Sequence, residues 1–239
     1  MTSSESKRSK PRVDDRGRAF AGSQLQVQLY SSRLLPTLEA ALAGAINRAG
    51  EQLDWIAPAE NKKFEELLDE AFINALGLGA HAAALRSFWP GSGPRWDGLA
   101  RLRQSGAVLL VEGKSYPAEM RGSGCQAKDP RSIELIDAAL DGTKAWLGVP
   151  READWKGELY QYANRLAHVR FLRERGVEAW LVNLCFVDDP TKNPTDAATW
   201  KSALTQAKID LGLGDISHVA VDVLLPGLAP TAWDLPAAR

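Results

Sequence analysis

Three ionisable residues at strand spacing could do chemistry in this chain. The run 107–116, Ala-Val-Leu-Leu-Val-Glu112-Gly113-Lys114-Ser-Tyr, is apolar until it meets a carboxylate and, two residues on, an ammonium. Side chains of an extended segment alternate between faces, so Glu112 and Lys114 point into the same space, about 7 Å apart. Ionised groups at the end of a buried strand are costly unless paired or bound to a metal. Asp97 lies upstream on the other arm of an expected hairpin, whose pairing would set a second carboxylate beside Glu112. Two hard oxygen ligands suit Mg²⁺ or Mn²⁺ together with water and a phosphate. The acid-x-Lys tripeptide alone discriminates nothing. It occurs at Glu5, Glu60, Glu112 and Asp154, and only at Glu112 does it close an apolar strand.

The elements that must position these residues follow from hydrophobic period and breakers. Residues 95–102 and 107–116 flank the polar turn Arg103-Gln104-Ser105-Gly106, the pattern of a β-hairpin. Upstream, 61–72 predicts an amphipathic helix capped by Asn61 and stopped by Gly77, with Phe64, Leu67, Leu68, Ala71 and Ala75 on its apolar face. Residues 35–49 predict another helix, with Pro36 in its first turn. Leu25, Val27 and Leu29 alternate with Gln24, Gln26 and Gln28, a short strand signal, and 77–94 reads as a loop rich in Gly and small residues. Beyond the hairpin come helices over 132–148 and 155–175, a buried strand over 177–187, a helix over 194–208 and a last strand over 216–225. That order predicts an α/β fold, a mixed central β-sheet flanked by α-helices.

With the elements in place, Trp96-Asp97, a spacer and Leu-Leu-Val-Glu112-Gly113-Lys114 resemble the PD-(D/E)XK nuclease superfamily. The match in element order runs over about 62–187 and implies a restriction-endonuclease-like core. Trp96 stands where the superfamily's name has proline. The segment Lys63-Phe64-Glu65-Glu66-Leu67-Leu68 resembles the superfamily's first core helix, whose acid following an aromatic points into the site; Glu65 fits, with Glu66 and Glu70 as alternatives. Tyr160-Gln161-Tyr162-Ala163-Asn164-Arg165 resembles a later helix that offers Gln161 to metal or substrate.

The resemblance implies Asp97 and Glu112 as ligands of Mg²⁺ or Mn²⁺, with the Gly113 carbonyl adding another. Lys114 would orient the attacking water or stabilise the pentavalent phosphorus. Burial and the metal would lower the Lys114 pKa while the carboxylates raise it, opposed effects that the sequence does not rank. The reaction implied is phosphodiester hydrolysis, with DNA favoured over RNA and a homodimer in members that cut both strands. The alternative is a catalytically silent member of the same fold that binds nucleic acid or protein.

Charge distribution supports a polyanionic partner. The net charge is only −1, yet residues 86–131 hold eight basic against four acidic side chains. Arg95, Arg101 and Arg103 on the hairpin are candidates for phosphate-backbone contacts. Arg165, Arg170, Arg173 and Arg175 add a second strip on the later helix. His81, His168 and His218 lack metal-ligand spacing and read as exposed or satisfied core histidines. Cys125 and Cys185 are too few for a disulfide framework or a Cys-rich zinc site. No apolar run approaches a membrane span, and the polar N-terminus lacks a signal-peptide core, so a cytoplasmic protein is expected. Residues 1–22, polar and basic, read as a disordered arm before a single domain over 23–239.

Overall fold

The computed structural model describes residues 12–238. A five-stranded sheet in the order β1-β2-β3-β4-β5 carries the fold: β1 (Leu53–Ala57), β2 (Gly98–Leu102), β3 (Val108–Lys114), β4 (Ala179–Val187) and β5 (Ala220–Pro226). The first three pair antiparallel and the last three parallel, so the sheet is mixed. The parallel pairs need crossovers, and helices supply them. Helix α5 (Pro130–Leu147) and α6 (Tyr160–Arg173) link β3 to β4, and α7 (Ala197–Asp210) links β4 to β5.

Strand alternation sorts the core into two layers. Leu109 and Val111 of β3, with Trp180, Val182 and Leu184 of β4, face α1 (Gly22–Arg33) and α2 (Leu35–Ala45). Val108, Leu110 and Leu181 face the other layer, where α3 (Asp69–Ala75), α4 (Ala82–Phe88), α5 and α6 pack. Being covered on both sides, β3 is buried along its whole length, and that explains its apolar run. The same alternation assigns Glu112 and Lys114 to the α6 side. The expected helices after the hairpin form with local reasons. Asp129 caps α5 by accepting from the Ser132 N–H at 2.8 Å, and Gly148 ends it in the left-handed region. Asp196 caps α7 in the same way.

Three expectations are corrected and one strand is added. The expected strand at 24–29 is helix α1. Its glutamines look like an exposed face but are interior, because their amides find partners: Gln26 contacts Asp189 Oδ1 and the Leu228 backbone, and Gln28 the Ala19 N–H and the Gly17 carbonyl. The expected helix at 61–72 is mostly absent. Lys63 and Phe64 take left-handed backbone angles, the Trp96 N–H donates to the Leu67 carbonyl, and α3 begins only at Asp69. Phe64 anchors that irregular stretch by packing on Trp233 with ring centroids 5.6 Å apart. The expected loop at 77–94 contains α4, and β1 escaped sequence reading altogether.

The expected disordered arm lies outside the described residues up to 11. From Arg12 it is folded: Val13 bridges to Ala19, which is buried. The sheet also draws β1 and β5 from outside 62–187. Among the described residues no helix is long and apolar enough to cross a membrane.

Candidate active site

Register places the two carboxylates side by side. Gly98 pairs with Val111 at the end of the β2–β3 ladder, so Asp97 comes opposite Glu112 one step further on. The Gly113 N–H donates to Asp97 Oδ2 at 2.8 Å, which fixes the carboxylate against the strand. Glycine is required there, because a β-carbon at 113 would stand 2.8 Å from Val27 Cγ2 on α1. Helix α1 thus lies directly over the end of β3.

Glu112 is held from two sides. Lys114 Nζ bonds Glu112 Oε1, and Arg165 Nε of α6 bonds Oε2 at 2.8 Å. All three are nearly inaccessible, at 5%, 9% and 5% exposure for Glu112, Lys114 and Arg165. Arg165 also donates from Nη1 to Asn164 Oδ1 and from Nη2 to the Arg95 carbonyl, both at 2.8 Å, and its guanidinium lies 5.0 Å over the Trp96 ring. It is therefore a clamp on Glu112 and not the phosphate-contacting residue the sequence suggested.

The electrostatics follow from burial and these partners. Burial disfavours charge on Glu112, but Arg165 and then Lys114 outweigh it and leave the carboxyl below its ordinary pKa. Burial likewise opposes charge on Lys114, yet Glu112 and Asp97 together hold the ammonium above its ordinary value. Against burial alone the carboxylates prevail. Among the described residues Asp97 forms no ion pair of its own. Burial first, and Glu112 second, drive its pKa well above the carboxylate range against the pull of Lys114.

The structure separates the other expected site residues. Glu65 is exposed, whereas the adjacent Glu66 is half-buried, accepts from Gln24 Nε2 at 3.2 Å, and feels Arg95, Glu112 and Arg165. Burial raises its pKa, with Arg95 opposing and Glu112 adding. Glu70 turns away to Arg86. Gln161 lines a small pocket together with Glu112, Lys114, Tyr162, Arg165 and Asn183.

Arg95 is exposed beside the site, but Arg101 and Arg103 sit at the turn end of the hairpin, roughly 13 Å or more from Asp97 at about 3.3 Å per residue. There Arg101 donates to the Leu76 and Gly106 carbonyls and Arg103 to Asp54. In the second strip Arg173 and Arg175 hold the fold. Arg173 donates to the Ala179 and His218 carbonyls, and Arg175 to that of Phe171.

Asn183 and Asp222 escaped sequence reading. They continue the Glu112 level across β4 and β5, joined by Asn183 Nδ2 donating to Asp222 Oδ1 at 2.8 Å and to the Tyr162 hydroxyl at 3.0 Å. Only the pairing of the strands brings them into line, and no short-range spacing announces it.

Among the described residues no group of three or more His, Cys, Asp or Glu side chains gathers closely enough to hold a metal ion. The oxygens at the site are of the hard kind that Mg²⁺ prefers, and among the described residues Asp97 Oδ1 and Glu66 Oε2 accept no hydrogen bond. A carboxylate offers about four lone-pair positions, so Glu112 keeps capacity beyond its two cation contacts. Comparison with family models, curated proteins and solved structures finds no match to this chain.

Proposed function

We propose that the protein is a divalent-metal-dependent nuclease with a restriction-endonuclease-like core, hydrolysing nucleic-acid phosphodiester bonds at the Asp97–Glu112–Lys114 site. The observation that carries the reading is the convergence of Asp97, Glu112 and Lys114 at one strand end, within the electrostatic reach of Glu66. Asp97, Glu112 and the Gly113 carbonyl would hold Mg²⁺ or Mn²⁺, with Glu66 in place of Glu65. When bound, such an ion supplies a water of lowered pKa and neutralises charge on the phosphoryl oxygens.

The protein's own groups do the rest. Glu112 and Asp97 favour the charged form of Lys114, which suits it to act as a fixed cation and hydrogen-bond donor to charge developing on the phosphate. Arg165 fixes the orientation of Glu112 and lets the carboxylate stay ionised in a dry setting. Gly113 holds one oxygen of Asp97 through its N–H and so leaves the other free. Arg95 supplies a surface cation for a neighbouring phosphate.

One observation favours a second reading, a non-cleaving nucleic-acid- or protein-binding member of the same fold: both Glu112 oxygens are already paired with buried cations. Cleavage of labelled DNA and RNA, single- and double-stranded, with Mg²⁺ or Mn²⁺ decides between them. The nuclease reading expects cutting that Lys114→Ala and Asp97→Asn abolish while nucleic-acid binding survives. Binding without cutting by the wild type would select the second.

A further inference from the structure

A cavity of about 460 Å³ opens beside the cluster, is lined by Arg95, and shares Gln161 and Arg165 with the small pocket at Glu112 and Lys114. We propose that it receives one unpaired nucleobase of the substrate strand, and that the preferred substrate is therefore single-stranded or locally unpaired nucleic acid. The proposal rests on the nuclease reading and specifies its substrate.

The lining suits a flat, uncharged heteroaromatic ring. Tyr160 contributes a half-buried ring, backed by the buried Trp89, whose ring lies 26° from parallel to it with centroids 6.5 Å apart. Base–aromatic stacking is indifferent to sequence because every base has a π-face. Gln161 adds an amide that makes no hydrogen bond among the described residues and can serve a base edge with both donor and acceptor. The volume falls in the range of small-molecule sites.

The wall opposite is rigid. The Gly122 N–H donates to the Glu158 carbonyl and the Cys125 N–H to that of Lys156, both at 2.9 Å, which stitches the 122–125 loop to the segment before α6. Gly124 takes a left-handed φ of +74°, and a β-carbon there would lie 2.6 Å from the Lys156 carbonyl oxygen. The loop therefore approaches too closely for any side chain at 124, and its shape is set before a ligand arrives.

Charge fits the phosphate that accompanies a base. Three arginines line the cavity against two glutamates. Arg165 is committed to Glu112, and Arg121 to Glu158 and Asp210. Arg95 forms no ion pair among the described residues, so the uncommitted cation is the one next to Asp97. A base within a duplex is stacked on both faces and paired at its edge, and extracting it costs a few kcal/mol, least where the base is already unpaired. The cavity therefore selects against intact duplex.

The test uses a labelled DNA strand with Mn²⁺, presented alone, as a perfect duplex, and as a series of single strands carrying one abasic position moved along the sequence. The wild type is expected to cut the single strand at least about ten-fold faster than the duplex. An abasic position in one register should slow the adjacent cut about ten-fold. Tyr160→Ala and Gln161→Ala should erase that register dependence, and the abasic series itself needs only the wild-type protein.

Equal cutting of duplex and single strand with no abasic register, while Lys114→Ala is inactive, would overturn the base pocket and leave the nuclease reading standing. If the wild type cuts nothing, the nuclease reading fails instead. Anisotropy of intact against abasic strands then judges the pocket: weaker abasic binding sustains it, and equal binding overturns it.

Discussion

Arg165 and Lys114 grip opposite oxygens of Glu112, Arg165 through Nε at 2.8 Å, so one buried carboxylate is shared by cations from a helix and from its own strand. Removing one partner of a buried pair leaves charge uncompensated and typically costs about 3–5 kcal/mol. Arg165→Met should therefore destabilise the protein by about 3 kcal/mol in urea denaturation. Arg165→Lys should recover only part, because an ammonium cannot also reach Asn164 and the Arg95 carbonyl as the planar fork does. A loss below about 0.5 kcal/mol would show that Glu112 does not depend on the clamp.

Asp97 gives the site a pH dependence of opposite sign to an ordinary ion-paired carboxylate. Its folded pKa is raised, so the folded state binds the extra proton. The stability this confers is complete at pH below the ordinary carboxylate range and is lost as pH rises toward the folded value. Metal-free Asp97→Asn should accordingly be less sensitive to rising pH than the wild type. Addition of Mn²⁺ should release a proton from the wild type and none from the variant, measurable by calorimetry in buffers of different ionisation enthalpy. Identical proton release would remove Asp97 from the metal-binding set.

How far the site was legible turns on where its information lies. The spacing of Glu112, Lys114 and Asp97 needs only strand period and a hairpin, both local properties, and the structure brings the three together as that spacing implied. The mixed, helix-flanked sheet was likewise visible in the order of elements. Arg165 was noticed but misjudged, since a surface arginine and a buried clamp look alike until α6 is packed on β3. Glu66 rather than Glu65 turns toward the cluster because the contact between Leu67 and Trp96 overrides the local helical pattern of 61–68. In α1 the error had the same root: buried glutamines count as polar in a pattern, yet Gln26 and Gln28 are satisfied by partners remote in the fold or in a preceding turn.

The Glu65–Glu66 distinction is directly testable. Glu65 is exposed, and Glu65→Ala should change stability by no more than about 0.5 kcal/mol and leave cleavage unaltered. Glu66→Gln keeps the contact with Gln24 but removes a charge beside Asp97 and Arg95, so Mn²⁺ affinity should fall about ten-fold or more. Titration of metal-dependent cleavage with each variant separates them. Equal Mn²⁺ affinity in both variants would place Glu66 outside the site.

His168 predicts an acid-sensitive core. It lies among Phe72, Phe88, Trp89 and Trp96, with ring centroids 5.0–6.1 Å away, and its Nδ1–H donates to the Asn164 carbonyl at 2.8 Å. Burial pushes its pKa down to about 3. The unfolded chain therefore binds the extra proton between about 3 and the ordinary 6.5. Stability should be complete above that window and fall on acidification by up to about 1.4 kcal/mol per pH unit from this group alone. His168→Phe should lose that slope when urea midpoints are compared at pH 7, 5 and 4. An unchanged slope would mean that acid lability arises elsewhere.

Salt dependence distinguishes arginines that meet the substrate from those that hold the fold. Each phosphate neutralised on duplex DNA adds about 0.9 to the slope of log affinity against log salt, and about 0.7 on a single strand. Arg95 stands exposed beside Asp97 with no ion pair among the described residues, whereas Arg103 is bound to Asp54 and Arg101 to two carbonyls at the far end of the hairpin. Arg95→Ala should lower the slope by about one contact's worth and weaken all sequences alike, since a phosphate contact carries no base information. Arg103→Ala should leave the slope unchanged and show only the small loss of an exposed ion pair. If Arg103→Ala lowers the slope instead, the nucleic acid runs along the hairpin toward its turn, and the groove is not the one that passes Asp97.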